Sequence, residues 1–333
     1  MRAWMRQLQV VLTSTTLKHK MIFGANSLNG TDDLHIHVDC HKYLSSLKDA
    51  GTVQIDNLTY KEITQLIKGQ YYDIEILVGY KTSGIHTIFK GGVLYMSNIL
   101  GDRKSSTLYI FFASQLVAKY GQSRLNLTLN SGINMYSALD FLCKRAGIRN
   151  SNVSEEFRNR IVRETTTTSQ TIGNIIDRIT ASNNFVVQSD ASYGNALSIW
   201  SPYRKDPRVI KIEPSTIILT AGYPQLDSSG LHMSLMPTFN FMCGDTIVID
   251  NTMIDLGITS ANNRDFNLGY YLDENGKYII YQIDYSLDNR GSNFSLNLLC
   301  KARSLMSKAG LNIYGGQKWW KKNMLVEILK KLT

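Results

Sequence analysis

The sequence predicts a mainly β protein with an α+β insertion: two tube-like β-barrel domains related by a pseudo-repeat, a small α+β domain, and a C-terminal amphipathic helix. Three patterns carry this. Residues 52–113 read as a strand, a short helix and three strands with period-two alternation, and residues 277–301 read as a long hairpin of the same kind. Between them the apolar residues recur at helical spacing.

In chain order, Leu8, Val10 and Leu12 alternate as a first strand, and Lys20 to Phe23 and Leu34 to Cys40 extend the sheet around a loop at Asn26 to Asp33. Thr59 followed by Glu62 is a capping box, with Ile63, Leu66 and Ile67 as the buried helix face and Gly69 as the stop. Ile74, Ile76, Val78 and Tyr80 then oppose Asp73, Glu75 and Gly79, the signature of a half-buried strand. Thr82-Ser83-Gly84 turns the chain, Ile85 to Met96 returns with a bulge expected at Gly91-Gly92, and Arg103-Lys104-Ser105 turns it into TLYIFFA. Strands with one polar face, a bulge and a covering helix predict a sheet that curls into a barrel and so removes exposed edges.

Leu125, Leu127 and Leu129 alternate, and Asn134 caps a helix whose stripe is Met135, Ala138, Leu139, Leu142, Cys143 and Ala146, ending at Gly147. Ser154 to Val162 reads as a short helix with Phe157 and Ile161 inward. Ser169 is the expected cap of a third helix striped by Ile172, Ile175, Ile176 and Ile179, and Phe185 to Trp200 makes a hairpin. After Pro202 and Pro207, short strands are expected at Thr216 to Ala221, His232 to Met236 and Asp245 to Asp250, then a polar loop at Ser260 to Asn267. The hairpin Lys277 to Leu287 and Ser292 to Lys301 comes next. The domains are therefore residues 1–118 (first barrel), 119–205 (α+β insertion), 206–303 (second barrel) and 304–333 (basic tail). DIEILVGY, IFKGGVLYMSN and STLYIFFAS are matched in kind and order by DTIVID, KYIIYQIDYSLDN and SNFSLNLLCKA, a pseudo-repeat of layout rather than identity.

Trp320, Met324, Leu325, Ile328, Leu329 and Leu332, with Trp319 beside them, form an apolar helical stripe, and Lys321, Lys322, Lys330 and Lys331 lie largely off it. Six such side chains, each worth roughly 1.5–3 kcal/mol if fully buried, suffice to dock a helix on a partner or its own domain. An anionic membrane surface is the lesser alternative.

Of 36 basic and 27 acidic residues, Lys301, Arg303, Lys308, Lys318, Lys321, Lys322, Lys330 and Lys331 fall from Lys301 onward, against Glu327 alone. The body is thus nearly neutral, which argues against a nucleic-acid-binding domain, whose affinity comes from phosphate neutralisation. An apolar content of 43% with few prolines fits an ordered globular chain. No apolar run approaches the roughly 18 residues of a membrane span, and MRAWMRQLQVVLTS lacks a signal-peptide core, so synthesis in a cytoplasm-like compartment is expected. Cys40, Cys143, Cys243 and Cys300 are scattered without CxxC spacing and read as buried free thiols.

His35, His37, Asp39 and His41 share one strand face. Imidazoles ligate zinc or iron, but side chains two apart on one strand stand roughly 7 Å from each other, so a single ion rarely takes more than two. A solvated or lumen-facing polar strand is preferred over a metal site at His35, His37 and His41. No phosphate loop, GxSxG, HExxH or CxxC pair is present, and Asp32-Asp33, Asp73/Glu75 and Glu155-Glu156 suit turns, a solvent face and a helix start. No catalytic residue, metal or cofactor is assigned, and the chain is not expected to be an enzyme.

With this layout the sequence resembles the tail hub proteins of tailed bacteriophages, a family whose fold also forms the hub of type VI secretion spikes. The resemblance rests on Ile55-Asp56-Asn57-Leu58-Thr59 through Gly69, Val78-Gly79-Tyr80, Ile88-Phe89-Lys90-Gly91-Gly92-Val93, Ala138-Leu139-Asp140-Phe141-Leu142 with Ala146-Gly147-Ile148, Leu235-Met236-Pro237, and Cys243-Gly244-Asp245-Thr246. It covers most of residues 5–303, with no fused spike or lysozyme portion. It implies a homotrimer in which two tube-like domains per chain make a ring of six similar units. Such a ring would adapt a six-fold tail tube, or a distal tail protein, above to a three-fold spike or tip protein below. Other baseplate proteins would be neighbours, genomic DNA would pass only in transit, and the location would be the virion baseplate after synthesis in the host cytoplasm. The alternatives are a distal tail or peripheral baseplate component and, more remotely, a cell-envelope hydrolase.

Overall fold

The computed structural model describes residues 6–14, 18–25, 34–45, 49–100, 106–120, 124–147, 149–163, 165–181, 185–190, 196–201, 208–213, 222–227, 229–237, 240–255 and 272–303. The first part contains β1 (Arg6–Ser14), β2 (Lys20–Gly24), β3 (Ile36–Tyr43), β4 (Ala50–Asp56), α1 (Tyr60–Gly69), β5 (Tyr71–Tyr80), β6 (Gly84–Leu100) and β7 (Ser106–Ala113). The insertion contains α2 (Gln115–Tyr120), β8 (Arg124–Leu129), α3 (Met135–Ala146), β9 (Arg149–Val153), α4 (Glu155–Arg158), β10 (Thr166–Thr171), α5 (Ile172–Ala181), β11 (Val186–Asp190) and β12 (Ala196–Trp200). The last part contains β13 (Val209–Lys211), β14 (Gln225–Asp227), β15 (Gly230–Leu235), β16 (Thr246–Val248), β17 (Lys277–Asp288) and β18 (Phe294–Ala302).

Thirteen strands from both ends of the chain form one sheet, ordered β14-β15-β18-β17-β3-β4-β7-β6-β5-β1-β2, with β16 on β17 and β13 on β16. The join is β17, whose residues 282–288 pair antiparallel with residues 37–43 of β3. Alternation explains why it holds: Ile36, Val38 and Cys40 point into the same core as Ile283, Tyr285 and Leu287, all nearly inaccessible. Two separate tube-like barrels were expected. Instead one continuous sheet is observed, and no ladder closes a barrel among the described residues.

The sheet nevertheless rolls. Arg6 on β1 donates to Gly291 O at 2.7 Å, and Tyr80 on β5 packs edge-on against Phe294 of β18 at 5.6 Å, although many strands separate them in the sheet order. Rolling follows from strand twist, which the bulges increase. On β6 the extra residues are Ile88, opposite β5, and Leu94, opposite β7. They flank Gly91-Gly92 rather than occupying it. Gly91 is small for another reason: a Cβ there would collide with Ala113 O and the Phe89 ring.

The chain order and the spatial order repeat. Strands β3-β4-β7-β6-β5-β1 lie side by side, and so do β14-β15-β18-β17-β16-β13. Both β5-β6-β7 and β16-β17-β18 are antiparallel meanders, and β17 carries a bulge at Tyr281 where β6 carries Leu94. The two sets differ at one end: β1 joins β5 antiparallel, whereas β13 joins β16 parallel.

The insertion has its own core around Leu139, Leu142, Phe157, Ile176 and Ile199, with a two-stranded sheet (β8, β10) and a three-stranded one (β9, β12, β11). Trp200 keys it to the main core: its indole N–H donates to Gln188 Oε1, whose amide in turn donates to Cys243 O at 2.5 Å. Gly244, at φ +91°, lets the Trp200 ring lie on its backbone where a Cβ could not fit.

Local expectations met the structure unevenly. The α1 capping box is present, with Thr59 N donating to Glu62 Oε2 at 2.8 Å and Glu62 N to Thr59 Oγ1 at 3.3 Å. Ile63 and Leu66 are buried, but Ile67 is 72% exposed, because only a narrow stripe of a ten-residue helix meets the sheet. The left-handed cap is Gln70, not Gly69. In α3, Asn134 caps through Tyr136 N and Ser137 N, and Gly147 ends the helix at φ 65°. The helix at 154–162 is only α4; Phe157 is buried, yet Ile161 is 56% exposed. Ser169 lies in β10 because its neighbours pair with β8, and α5 is capped by Thr171, whose Oγ1 accepts from Asn174 N. The loops expected at Asn26 to Asp33 and Ser260 to Asn267, the strand at Thr216 to Ala221, and residues 304–333 lie outside the described residues. All four cysteines are free and buried, and burial pushes each thiol up, Cys143 to about 12.

Thr59→Ala is expected to cost about 1 kcal/mol in equilibrium denaturation, as a lost cap does. Ile67→Ala should change stability by less than about 0.5 kcal/mol; a core-sized loss at Ile67 would contradict its outward placement.

Candidate interaction surfaces

The alternation that buries Val38 and Cys40 places His35, His37, Asp39 and His41 on the opposite side of the sheet. Pairing fills the neighbouring positions with acids. His35 contacts Asp56 at 2.9 Å and Asp288 at 3.0 Å, His37 contacts Asp39 at 2.9 Å, and His41 contacts Asp284 at 2.7 Å. Thr107 and Gln54 donate to Asp56, and Gln282 donates to Asp284. The result is a polar band across β7, β4, β3 and β17, each imidazole held by a carboxylate. The three histidines do share a face, and His35 and His37 both approach Asp288, at 3.0 and 3.9 Å, but His41 turns to Asp284 and the three imidazoles do not converge on one point. Among the described residues, no group of three or more His, Cys, Asp or Glu is placed to hold a metal ion.

Electrostatics follow from these contacts. The hydrogen bond to Asp284 raises the His41 pKa, against the opposing effect of burial. Burial pushes the Asp288 carboxyl up, but the Gly291 and Arg290 amides and His35 together hold it below the usual range. Asp49, buried beside the same strand, is pushed up to about 7 by desolvation, offset in part by Lys42 and the Tyr43 amide.

A serine, a histidine and an aspartate do meet elsewhere, at the β14–β15 turn. Ser229 Oγ lies 2.6 Å from His232 Nε2, and Asp227 lies 3.2 Å from that same nitrogen. In a catalytic triad the carboxylate orients the other ring nitrogen. Here Asp227 also accepts from Ser229 N, Ser229 Oγ and Gly230 N, so the cluster is a turn cap on an exposed hairpin. An open groove of about 590 Å³ lies along α1, lined by His19, Tyr60, Lys61, Thr64, Gln65, Lys68 and Gly69, without a carboxylate. No described helix is long and apolar enough to cross a membrane.

Residue pattern did not single out the outer side of β6. Leu94, Tyr95 and Ile99 are exposed there, with Tyr95 stacked on Phe111 at 4.2 Å. The apolar run TLYIFFA hinted at it, since Tyr109 and Phe111 are only half-buried. The stripe Trp319, Trp320, Met324, Leu325, Ile328, Leu329 and Leu332 lies outside the described residues.

Comparison places the fold in a class. The chain has the tail-hub fold that tail proteins of tailed bacteriophages share with type VI secretion spike proteins. It is similar to the 43 kDa tail protein of prophage MuSo2 from Shewanella oneidensis (TM-score 0.56, 10% identity, covering 89% of this chain and 97% of that one). It is also similar to the tail protein from Neisseria meningitidis MC58 (0.53, 8%, 89% and 96%). A third is the E. coli c3393 protein, a component of the type VI secretion system with structural similarity to the T4 tail proteins gp27 and gp5 (0.54, 10%, 80% and 73%). No protein-family model and no curated protein matches the sequence.

The His41–Asp284 bond gives a pH prediction. A histidine whose pKa is raised on folding contributes stability that is fully present below its unfolded value, about 6.5, and lost as pH rises through the folded value. Wild type should therefore exceed His41→Gln in stability at pH 5.5 by more than at pH 8.5. The difference should stay below about 1 kcal/mol, because His41 is half exposed and screened. Denaturation at both pH values measures it, and an equal or reversed difference would remove the pair from the stability of the fold.

Proposed function

We propose that this chain is a structural hub of a phage-type tail: a trimeric ring that adapts a six-fold tail tube to a three-fold spike and lines the passage for DNA. The observation that carries the reading is the repeated strand order within one polypeptide, β3-β4-β7-β6-β5-β1 and β14-β15-β18-β17-β16-β13. Three chains, each with two similarly ordered strand sets in its sheet, offer six near-equivalent positions on one side and three-fold sites on the other. The fold likeness to phage tail proteins supports it.

The polar band suits a passage wall. Its bonded groups are imidazoles, carboxylates, amides and a hydroxyl, with no lysine or arginine among them. Phosphate binding draws on cations and their released counterions, so a wall of this composition lets a polyanion slide. The role is structural rather than enzymatic. Neighbours are the tube or distal tail protein above and the spike or tip protein below, and the basic tail with Trp319 to Leu332 is the docking helix for a further baseplate protein.

Two measurements test this. Native mass spectrometry of the full chain at micromolar concentration should give a trimer, and averaged particle images should show a ring with a central passage; a monomer, or a solid particle, would overturn the reading. Deleting residues 316–333 should leave the ring intact and abolish binding of its neighbour in reconstituted baseplates.

A further inference from the structure

The two strand sets can be laid on one another residue by residue. Leu94 and Tyr281 are equivalent bulges, since Val93 and Ile280 pair just before them and Tyr95 and Gln282 just after. Phe112 then falls on Cys300, and through the next two ladders Gly51 falls on Leu231 and Cys40 on Leu226. Burial agrees, for Cys40 and Leu226 are both inward. On the side away from β18, β17 is shared: its beginning pairs with β16 through Ile279, and residues 282–288 take β3. On β6 the beginning likewise pairs with β5, through Gly92. The rest of β6 has no counterpart of β3: among the described residues no strand pairs with residues 95–100 on that side. Tyr95 and Ile99, at 53% and 55% exposed, stand where Gln282 and Ser286 are half-covered.

The strand equivalent to β3 is β14, the last strand on the opposite end of the sheet order. We infer that the edge of β6 from Tyr95 to Leu100 pairs antiparallel with β14 of a neighbouring copy of this chain, repeating between chains the seam that β17 and β3 make within one. This rests on the trimeric ring proposed above and names its contact. Within the chain, Tyr285 opposes Cys40 and Asp284 opposes His41. Transposed, Asn98 opposes Leu226, Ser97 opposes Asp227 and Ile99 opposes Gln225 of the next copy. The contact is heterologous, different surfaces meeting, and a three-fold rotation between copies closes it into the ring proposed above. Among the described residues of the single chain, β14 is shielded on that edge by Asp255: Asp255 N donates to Pro224 O at 2.7 Å and Leu226 N to Asp255 O at 3.0 Å. The incoming edge replaces this one-residue bridge, which until then keeps β14 from indiscriminate pairing.

Cysteine cross-linking tests the register, because directly opposed antiparallel residues lie near disulfide distance and the four native thiols are buried. Ser97, Ile99, Gln225 and Asp227 are all exposed. The full chain carrying Ser97→Cys with Asp227→Cys, or Ile99→Cys with Gln225→Cys, should run mostly as a covalent trimer on a non-reducing gel after mild oxidation. The mis-registered pair Ser97→Cys with Ser229→Cys should give at least tenfold less. Mixing the Ser97→Cys and Asp227→Cys single variants should give a mixed dimer. A disulfide confined to a monomer, or no cross-link in a wild-type-like trimer, overturns the seam and leaves the ring standing. Absence of any oligomer in the wild-type chain overturns both.

Discussion

The pairing of β17 with β3 is the constraint on which the rest of the fold depends. It brings together residues 243 positions apart, as with His41 and Asp284, and makes a single sheet of strands that would otherwise form two. Contacts of this separation come late and at an entropic cost, because the intervening chain must be looped out first. The seam is stable because one side of it is fully apolar: Val38 and Cys40 against Tyr285 and Leu287, at the centre of the main core. The insertion bridges the same loop and is anchored by Trp200 on Gly244, so it stands as a second clamp between the two ends of the chain.

Because strand side chains alternate, a seam that is apolar inside is necessarily chosen outside for something else. Here that side holds histidines and aspartates, fixed in pairs rather than free. A band of mutually bonded imidazoles and carboxylates has no lysine or arginine among its bonded groups, and it is stiff, since His35 and His41 are each tied to a neighbouring strand. Fold strength and surface chemistry are therefore two consequences of one register, and a one-residue slip would exchange them.

Much of this was legible from residue pattern. The capping box at Thr59 and Glu62, the α3 stripe with its Asn134 and Gly147 caps, and the Lys277 to Lys301 hairpin depend on neighbours in sequence, and all three are where the pattern put them. The likeness of the two three-strand runs was visible as layout, because bulges and turns leave a mark even where identities do not. What stayed hidden were choices made by distant partners. Ser169 has a cap residue's chemistry but β8 claims it for a strand, and three-residue strands such as β13 and β14 exist only because β16 and β15 offer an edge. The union of the two strand sets was hidden for the same reason: β17 reads as one half of a hairpin, and nothing in it announces a third partner. The histidine face was read correctly as polar, while the acids that hold it, Asp56, Asp284 and Asp288, sit on other strands and could be assigned only in space.

The four cysteines carry one more consequence. Each is sealed in a core, far apart in pattern and kept as the protonated thiol by its surroundings, and oxidants act on exposed thiolates. The thiol chemistry of the folded chain is therefore closed to disulfide exchange. A protein assembled under reducing conditions and later carried into air would keep the same bonds throughout, with no disulfide to gain and none to lose.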